Sequence, residues 1–144
     1  MTTSGRLTIT FVEAKLTRDT ELVGKMDPYV VLKYREQVLK TKTNKNGGKN
    51  PSWNEELELD VKYVGDDCSM TVMDWELLGK DKIIGSADFV KISSFIINGA
   101  GIDDWWAIGH KGKKCGEVRI KCVWKPAGGD MMYQQNLAMM GQPQ

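Results

Sequence analysis

Residues 74–82, Asp-Trp-Glu-Leu-Leu-Gly-Lys-Asp-Lys, concentrate the residue types in this chain that can do chemistry. Side chains alternate faces in an extended chain, so Asp74 and Glu76 point the same way. Two carboxylates that converge on one side of a loop suit a hard cation such as calcium, which collects oxygen ligands from flexible loops. The alternative is a polar surface loop in which Leu77 and Leu78 are incidental.

The elements that must position these carboxylates are short and strand-like. The clearest alternation runs from Trp53 to Val61, with Trp53, Leu57 and Leu59 on one face and acidic or polar residues on the other. That pattern is typical of a half-buried antiparallel strand. Residues 91–101 suit a short helix or turn. The predicted strands are 6–16, 29–35, 37–43, 53–61, 68–75, 83–90, 104–108 and 116–124.

Eight short strands separated by turn-rich loops predict an all-β fold, an eight-stranded antiparallel β-sandwich in one domain. Loops of a sandwich gather at its two ends, so the loop before residue 29 and the loop before residue 83 meet at one end. This arrangement brings five carboxylates into one candidate cluster. They are Glu21, Asp27, Asp74, Glu76 and Asp81.

Composition restricts the class of protein. The formal net charge of the 144 residues is +1, which gives no global reason for a nucleic-acid partner. Three cysteines, without a C-x-x-C pair, indicate thiols in a reducing compartment. The chain starts without an apolar signal region, and no apolar run reaches the ~20 residues that span a bilayer. These features predict a cytoplasmic protein.

The composition changes after Lys125. Residues 126–144 are rich in methionine and glutamine and contain few β-branched residues. We therefore expect a folded domain over residues 1–125 and a flexible tail over 126–144. Met131, Met132 and Leu137 give the tail an adaptable apolar character suited to a protein partner, and a passive tail is the alternative.

Four segments in this order resemble a C2 domain. They are Lys25-Met26-Asp27-Pro28-Tyr29-Val30, Thr41-Lys42-Thr43, Asn50-Pro51-Ser52-Trp53-Asn54-Glu55, and Asp74-x-Glu76 ahead of Ile83-Ile84-Gly85. The layout is similar to small single-domain members such as the plant elicitor-responsive proteins. The resemblance implies a Greek-key sandwich, with the circularly permuted (type II) topology found in phospholipases. It also implies phospholipid binding, with or without calcium, and no catalysis.

The resemblance implies a ligand set for calcium. Asp27 and Asp74 match ligand aspartates of the family directly. Glu21 and Glu76 occupy positions that the family usually fills with aspartate, and Asp19 is a substitute for Glu21 if the loop is displaced. Glutamate keeps the charge but adds a methylene, so the loops must adapt.

Lys82 is the main departure from the family pattern. It stands where the family usually has another aspartate, and Asp81 precedes it by one position. A lysine there removes an oxygen ligand and opposes the ion electrostatically. We expect weakened calcium binding, and the alternative is an acidic rim that holds no ion.

Apolar residues flank the candidate ligands. Leu22 and Val23, with Met26, lie in the first loop, and Leu77 and Leu78 in the second. Apolar tips beside an ion site enter the headgroup boundary once calcium neutralises the repulsion between acidic loops and anionic lipid. This predicts calcium-responsive binding to anionic phospholipid membranes. The alternative is that these side chains pack on their neighbours.

A basic strand surface supports a second hypothesis. Lys40 and Lys42 are two apart on one predicted strand. Members similar to protein kinase C use the positions of Tyr29, Lys33, Lys40 and Lys42 for phosphoinositide headgroups, although a further basic position is Val31 here. The alternative function is therefore a calcium-independent phosphoinositide-binding or protein-binding adaptor.

Other candidate chemistry is weak. His110 has no serine or cysteine partner that the sequence can place, so a hydrolase triad has little support. Residues 111–114, Lys-Gly-Lys-Lys, form a basic run that is most simply a hairpin turn. The sequence therefore predicts a binding module without catalytic residues.

Overall fold

Eight β-strands and one 3-10 turn make up the described part of the chain. A computed structural model describes residues 3–128, and no helix in that range is long and apolar enough to cross a membrane. The elements are β1 (Gly5–Leu16), β2 (Pro28–Tyr34), β3 (Gln37–Lys40), β4 (Ser52–Val61), β5 (Asp67–Asp74), β6 (Lys82–Lys91), the 3-10 turn (Ile92–Phe95), β7 (Asp103–His110) and β8 (Lys113–Pro126).

All strand pairs are antiparallel, and the order is β3-β2-β5-β6-β7-β8-β1-β4. A single register pair, Ser86 with Gly109, joins β6 to β7. The sheet divides there into two four-stranded layers that enclose the core. The predicted all-β antiparallel sandwich is confirmed, and β1 lies between β8 and β4.

Alternation along β1 shows how the sequence forms the core. Leu7, Ile9 and Phe11 are fully buried, and the residues between them are at least partly exposed. A β-bulge then shifts the register between Phe11 and Glu13. One extra residue exchanges the two faces of a strand, so the buried positions after the bulge are Ala14 and Leu16.

Strand register sets the end of the sandwich that carries the candidate site. Asp74, the last residue of β5, pairs with Pro28 of β2 and with Lys82 of β6. The strand ends are therefore level, and four connections gather beyond them. We call this the loop end; its connections are residues 17–27, 41–51, 75–81 and 111–112. Two differences from prediction matter there: β3 ends at Lys40 rather than at 43, and β8 starts at Lys113.

Candidate functional site

Three carboxylates meet at the loop end. Oxygen atoms of Glu21, Asp74 and Glu76 all lie within 4.8 Å of one another. Glu21 comes from residues 17–27, Asp74 ends β5, and Glu76 follows it by two positions. The sequence predicted that these three side chains converge, and the geometry brings them together. We call the three residues the acidic cluster.

Asp74 fixes the first loop to β5. Its side chain is fully buried. Oδ1 accepts a hydrogen bond from the Asp27 backbone N–H at 2.8 Å, and Oδ2 accepts one from the Thr20 hydroxyl at 2.7 Å. Hydrogen bonds to a charged group are worth more than neutral ones, so Asp74 has a structural task whether or not an ion is bound.

The Lys82 ammonium lies among the carboxylates. Nζ is 3.1 Å from Glu76 Oε1 and 3.4 Å from Glu21 Oε2, and it donates to the Thr20 carbonyl oxygen at 3.2 Å. Glu76 first, and then Glu21, raise the pKa of Lys82. The sequence predicted that this lysine opposes an ion. In the fold it supplies a positive charge of the kind an ion would bring.

Protonation also relieves the crowding of negative charge. The pKa of Glu21 is raised to about 7 by hydrogen bonds shared with the carboxylates of Asp74 and Glu76, together with burial. Lys82 acts in the opposite direction and does not cancel this rise. Neighbouring carboxylates disfavour one another's ionised form, which is the cause of this rise. A calcium ion that binds here would compete with the Lys82 ammonium for the same carboxylates.

Three other sequence-predicted ligands lie outside the acidic cluster. Asp27 Oδ1 accepts a hydrogen bond from the Asn46 backbone N–H at 2.7 Å, which ties it to residues 41–51. Asp81 accepts from the Tyr29 hydroxyl and, at 2.9 Å, from the Glu76 backbone N–H. Both side chains therefore hold loops in place.

The third of these, Asp19, does not substitute for Glu21. Its side chain is exposed, and Oδ1 accepts a hydrogen bond from the Glu21 backbone N–H at 2.9 Å. This local bond orients the backbone that carries Glu21. Thr20, which sequence reasoning missed, bonds Asp74 through its hydroxyl and Lys82 through its carbonyl.

The apolar loop tips are open to solvent. Leu22 and Val23 are 103% and 90% exposed, and Leu77 and Leu78 are 79% and 87% exposed. Each pair directly follows a glutamate of the acidic cluster and precedes a glycine with positive φ. This repeated Glu-apolar-apolar-Gly pattern is a sequence signal that both loops share. The four side chains have no core to enter, so they do not pack on their neighbours.

Met26 differs from the other predicted apolar loop residues. It is fully buried, and its sulfur accepts a hydrogen bond from the Thr20 backbone N–H at 3.4 Å. The expectation that Met26 belongs to an exposed tip is wrong, because the chain has already returned to the core at this residue. Met26 anchors the base of the loop.

The predicted basic surface is only partly assembled. Register pairing puts Lys33 and Lys40 on one face of the β2–β3 hairpin. The strand ends at Lys40, so Lys42 lies in the following loop, where its backbone N–H bonds Glu55. Tyr29 is buried, its hydroxyl donates to Asp81, and Lys40 Nζ lies 4.7 Å from its ring centroid. Burial and this bond raise the pKa of Tyr29 to about 12.

Comparison with known proteins identifies the fold family. The C2 domain family model matches residues 5–107, which is more than half of the chain. The chain belongs to the C2 domain family. This C2 domain is 32% identical to 16 kDa phloem protein 1 of Arabidopsis thaliana over 58% of its own length and 56% of that protein. It is 33% identical to Elicitor-responsive protein 1 of Oryza sativa subsp. japonica, over 73% and 70% respectively.

Solved structures agree with this assignment at the level of the fold. A C2 domain of plant Extended Synaptotagmin 1 superposes with a TM-score of 0.74 at 22% identity, covering 86% of this chain and 96% of that one. The present C2 domain therefore has the family's sandwich. Its acidic cluster contacts a lysine, which forms ion pairs with two of the three carboxylates.

Proposed function

We propose that this C2 domain docks reversibly on anionic phospholipid membranes through its loop end, and that calcium promotes the docking. It acts as a binding module rather than as an enzyme. The observation that carries the proposal is the pair of exposed apolar tips, each adjoining a glutamate of the acidic cluster. Burying one leucine side chain fully is worth about 2 kcal/mol, so even shallow insertion of four apolar side chains supports membrane binding.

Calcium fits the donor chemistry of the acidic cluster. Glu21, Asp74 and Glu76 supply carboxylate oxygens, which are the ligands that calcium prefers. Bound calcium would bring a larger positive charge than the Lys82 ammonium that now lies beside these carboxylates. It would thereby reduce the repulsion between the loops and anionic lipid. Because two cations compete for one cluster, we expect weak binding, with a dissociation constant of roughly a millimolar.

Vesicle sedimentation tests the membrane proposal. We expect vesicles of phosphatidylcholine and phosphatidylserine to bind more protein in calcium than in chelator. The variant Leu77→Ser with Leu78→Ser should lower the partition coefficient about tenfold, since the two leucines together lose more than ~1.4 kcal/mol of insertion energy. A matched control is Val38→Ser with Val123→Ser, which removes two exposed apolar side chains from the strands.

Two results would contradict parts of the proposal. Equal sedimentation in calcium and in chelator would show that calcium does not promote the docking. Equal binding by the leucine variant and the wild type would show that the apolar loop tips do not insert into the membrane. If the control variant weakens binding as much as the leucine variant does, the interaction is general rather than localised to the loop end.

Lys82 favours a second candidate function, membrane docking that does not require calcium. Its ammonium already lies among the carboxylates, so part of the negative charge is neutralised before any ion arrives. In that case Lys33 and Lys40 could contact phosphoinositide headgroups, as the resemblance implies. Binding to anionic vesicles that is equally strong in chelator supports this candidate. The protein partner proposed for the tail, residues 126–144, depends on its methionines and Leu137, and these lie outside the described residues.

A further inference from the structure

A basic cleft lies at the loop end, on the side of the sandwich formed by β1, β7 and β8. Its volume is about 360 Å³, and it separates the start of residues 17–27 from the β7–β8 turn. Within residues 3–128, no acidic side chain lines the cleft. Its basic side chains are Arg18, His110, Lys111, Lys113 and Lys114. We call these five residues the basic cleft.

Most of this positive charge has no partner. Among the described residues 3–128, Lys114 pairs with Glu117 at 2.6 Å, whereas Arg18, Lys111 and Lys113 form no ion pair. Arg18 Nη2 reaches only the Ile83 carbonyl oxygen, at 3.5 Å, and its Nε is buried without a hydrogen-bond partner in that range. A buried donor without a partner is costly unless a ligand satisfies it.

The β7–β8 turn holds a lysine in an uncommon conformation. Lys111 and Gly112 both have positive φ, 51° and 81°, which is the two-residue hairpin turn that favours asparagine and glycine. A lysine in the left-handed region costs some free energy, a cost that Arg35 and Phe89 also carry elsewhere in the fold. Arg18, His110 and Lys111 line the same cleft, and burial first, then the charges of Arg18 and Lys111, lower the pKa of His110.

The basic cleft lies at the same end of the molecule as the apolar tips. Arg18 precedes Leu22 by four residues. The Ile83 carbonyl that Arg18 approaches adjoins Lys82, which pairs with the acidic cluster. Insertion of the tips therefore brings the cleft to the headgroup layer. Lys33 and Lys40 belong to the opposite four-stranded layer.

We propose that the basic cleft binds the phosphomonoester of a membrane-lipid headgroup. A phosphomonoester carries about −1.5 to −2 charges and several acceptor oxygens, which match a guanidinium and two or three ammonium groups around one cleft. A phosphodiester carries one charge and is less accessible beneath its headgroup. This inference rests on the proposed membrane docking and adds a headgroup preference to it.

The test compares two vesicle types of equal surface charge, both in chelator so that calcium plays no part. One contains phosphatidylcholine with phosphatidylserine, and the other phosphatidylcholine with phosphatidylinositol 4-phosphate. The cleft variant is Lys111→Asn with Lys113→Gln, in which asparagine tolerates the positive φ. The matched control, Lys121→Gln with Lys125→Gln, removes the same charge from exposed positions of β8 that lie away from the loop end.

We expect the wild type to prefer the phosphoinositide vesicles and the cleft variant to lose about tenfold more binding to them than to phosphatidylserine vesicles. The control variant should keep the preference. If the cleft variant keeps the preference, or if the control loses it equally, the proposal is overturned. Circular dichroism and thermal melting of each variant establish that the fold is intact.

A separate measurement distinguishes failure of the headgroup preference from failure of membrane docking. If the wild type binds neither vesicle in chelator, the assay is repeated in calcium; absence of binding there as well means that the proposed membrane docking fails, and the lipid assignment fails with it. Titration of the labelled wild type with inorganic phosphate, followed at the Gly112 amide by NMR, then shows whether the cleft holds free phosphate. If vesicles bind without headgroup preference, docking stands and this inference alone is refuted.

Discussion

The acidic cluster and the basic cleft lie at one end of the sandwich. They differ in whether their charged side chains have partners within the fold. In the acidic cluster, Asp74 accepts two hydrogen bonds and Lys82 forms ion pairs with Glu21 and Glu76, so most of the negative charge has a partner within the fold, although Glu76 Oε1 accepts no hydrogen bond among residues 3–128. In the basic cleft, Arg18, Lys111 and Lys113 have no such partner among residues 3–128. Charges satisfied within the fold stabilise it, whereas unsatisfied charges are available for a ligand.

The difference follows from the elements that carry each group. Asp74 and Lys82 are register partners on neighbouring strands, so the sheet itself sets their separation. Lys111 and Lys113 belong to a two-residue turn and the residue after it, which project beyond the sheet. Strand register fixes where Lys82 starts, its side chain reaches Glu21 and Glu76 in the adjoining loops, and the turn keeps like charges at the surface.

The largest expected effect tests whether the acidic cluster is part of the folding machinery. Asp74→Ala should lower the free energy of unfolding by about 3 kcal/mol, because it leaves the Asp27 N–H and the Thr20 hydroxyl without their acceptor. Chemical denaturation measures the change. Asp88→Ala, at an exposed position on β6, is the control and should shift the free energy by less than ~0.5 kcal/mol. A small effect at Asp74 would mean that the cluster is held together by something else.

The next effect tests whether Lys82 occupies the place of an ion. Lys82→Gln should tighten calcium binding about tenfold, because the ion no longer competes with an ammonium beside the same carboxylates. The variant should also melt at a lower temperature in chelator and recover when calcium is added, since a native-state ligand stabilises the fold. Calorimetric titration and thermal melting measure both.

Lys80→Gln is the matched control for Lys82, because Lys80 lies in the same loop and is exposed. It should leave calcium binding nearly unchanged. If Lys82→Gln gains no calcium-dependent stabilisation, the acidic cluster binds no calcium. The acidic cluster would then be a structural feature bridged by Lys82, and the basic cleft would be the binding site at this end of the sandwich.

Local sequence rules predicted most of the fold. Six of the eight strands were predicted to within about two residues at each end, and β8 is longer than predicted. Prediction works here because alternation and turn residues act over short distances. The β1 bulge was not predicted. It depends on pairing with β4 and β8, which no local pattern specifies. The early end of β3 likewise reflects a tertiary contact, the bond from the Lys42 backbone N–H to Glu55.

The site was predicted less completely, for a physical reason. Sequence spacing placed Glu21, Asp74 and Glu76 at one end of the sandwich. It could not show that Asp27 and Asp81 turn toward backbone N–H groups and a tyrosine, since those partners come from distant segments. The long Lys82 side chain reaches carboxylates on both sides, so a residue that looked repulsive became a bridge.

The smallest expected effect tests the basic cleft. Lys111→Asn should raise the free energy of unfolding by about 0.5 kcal/mol, because asparagine tolerates positive φ better than lysine and one charge leaves a cationic cleft. Lys113→Gln removes the same charge without changing a positive-φ position, so its gain should be smaller. Denaturant titration of the two variants separates backbone strain from charge repulsion.

The same Lys111→Asn variant should bind phosphoinositide vesicles less well than the wild type. A gain in stability combined with a loss of binding is the trade-off expected of a strained ligand site. Substitutions in the acidic cluster should do the reverse, with Asp74→Ala losing stability first. If Lys111→Asn instead destabilises the fold, Lys111 contributes to folding, and the basic cleft is satisfied from within like the acidic cluster beside it.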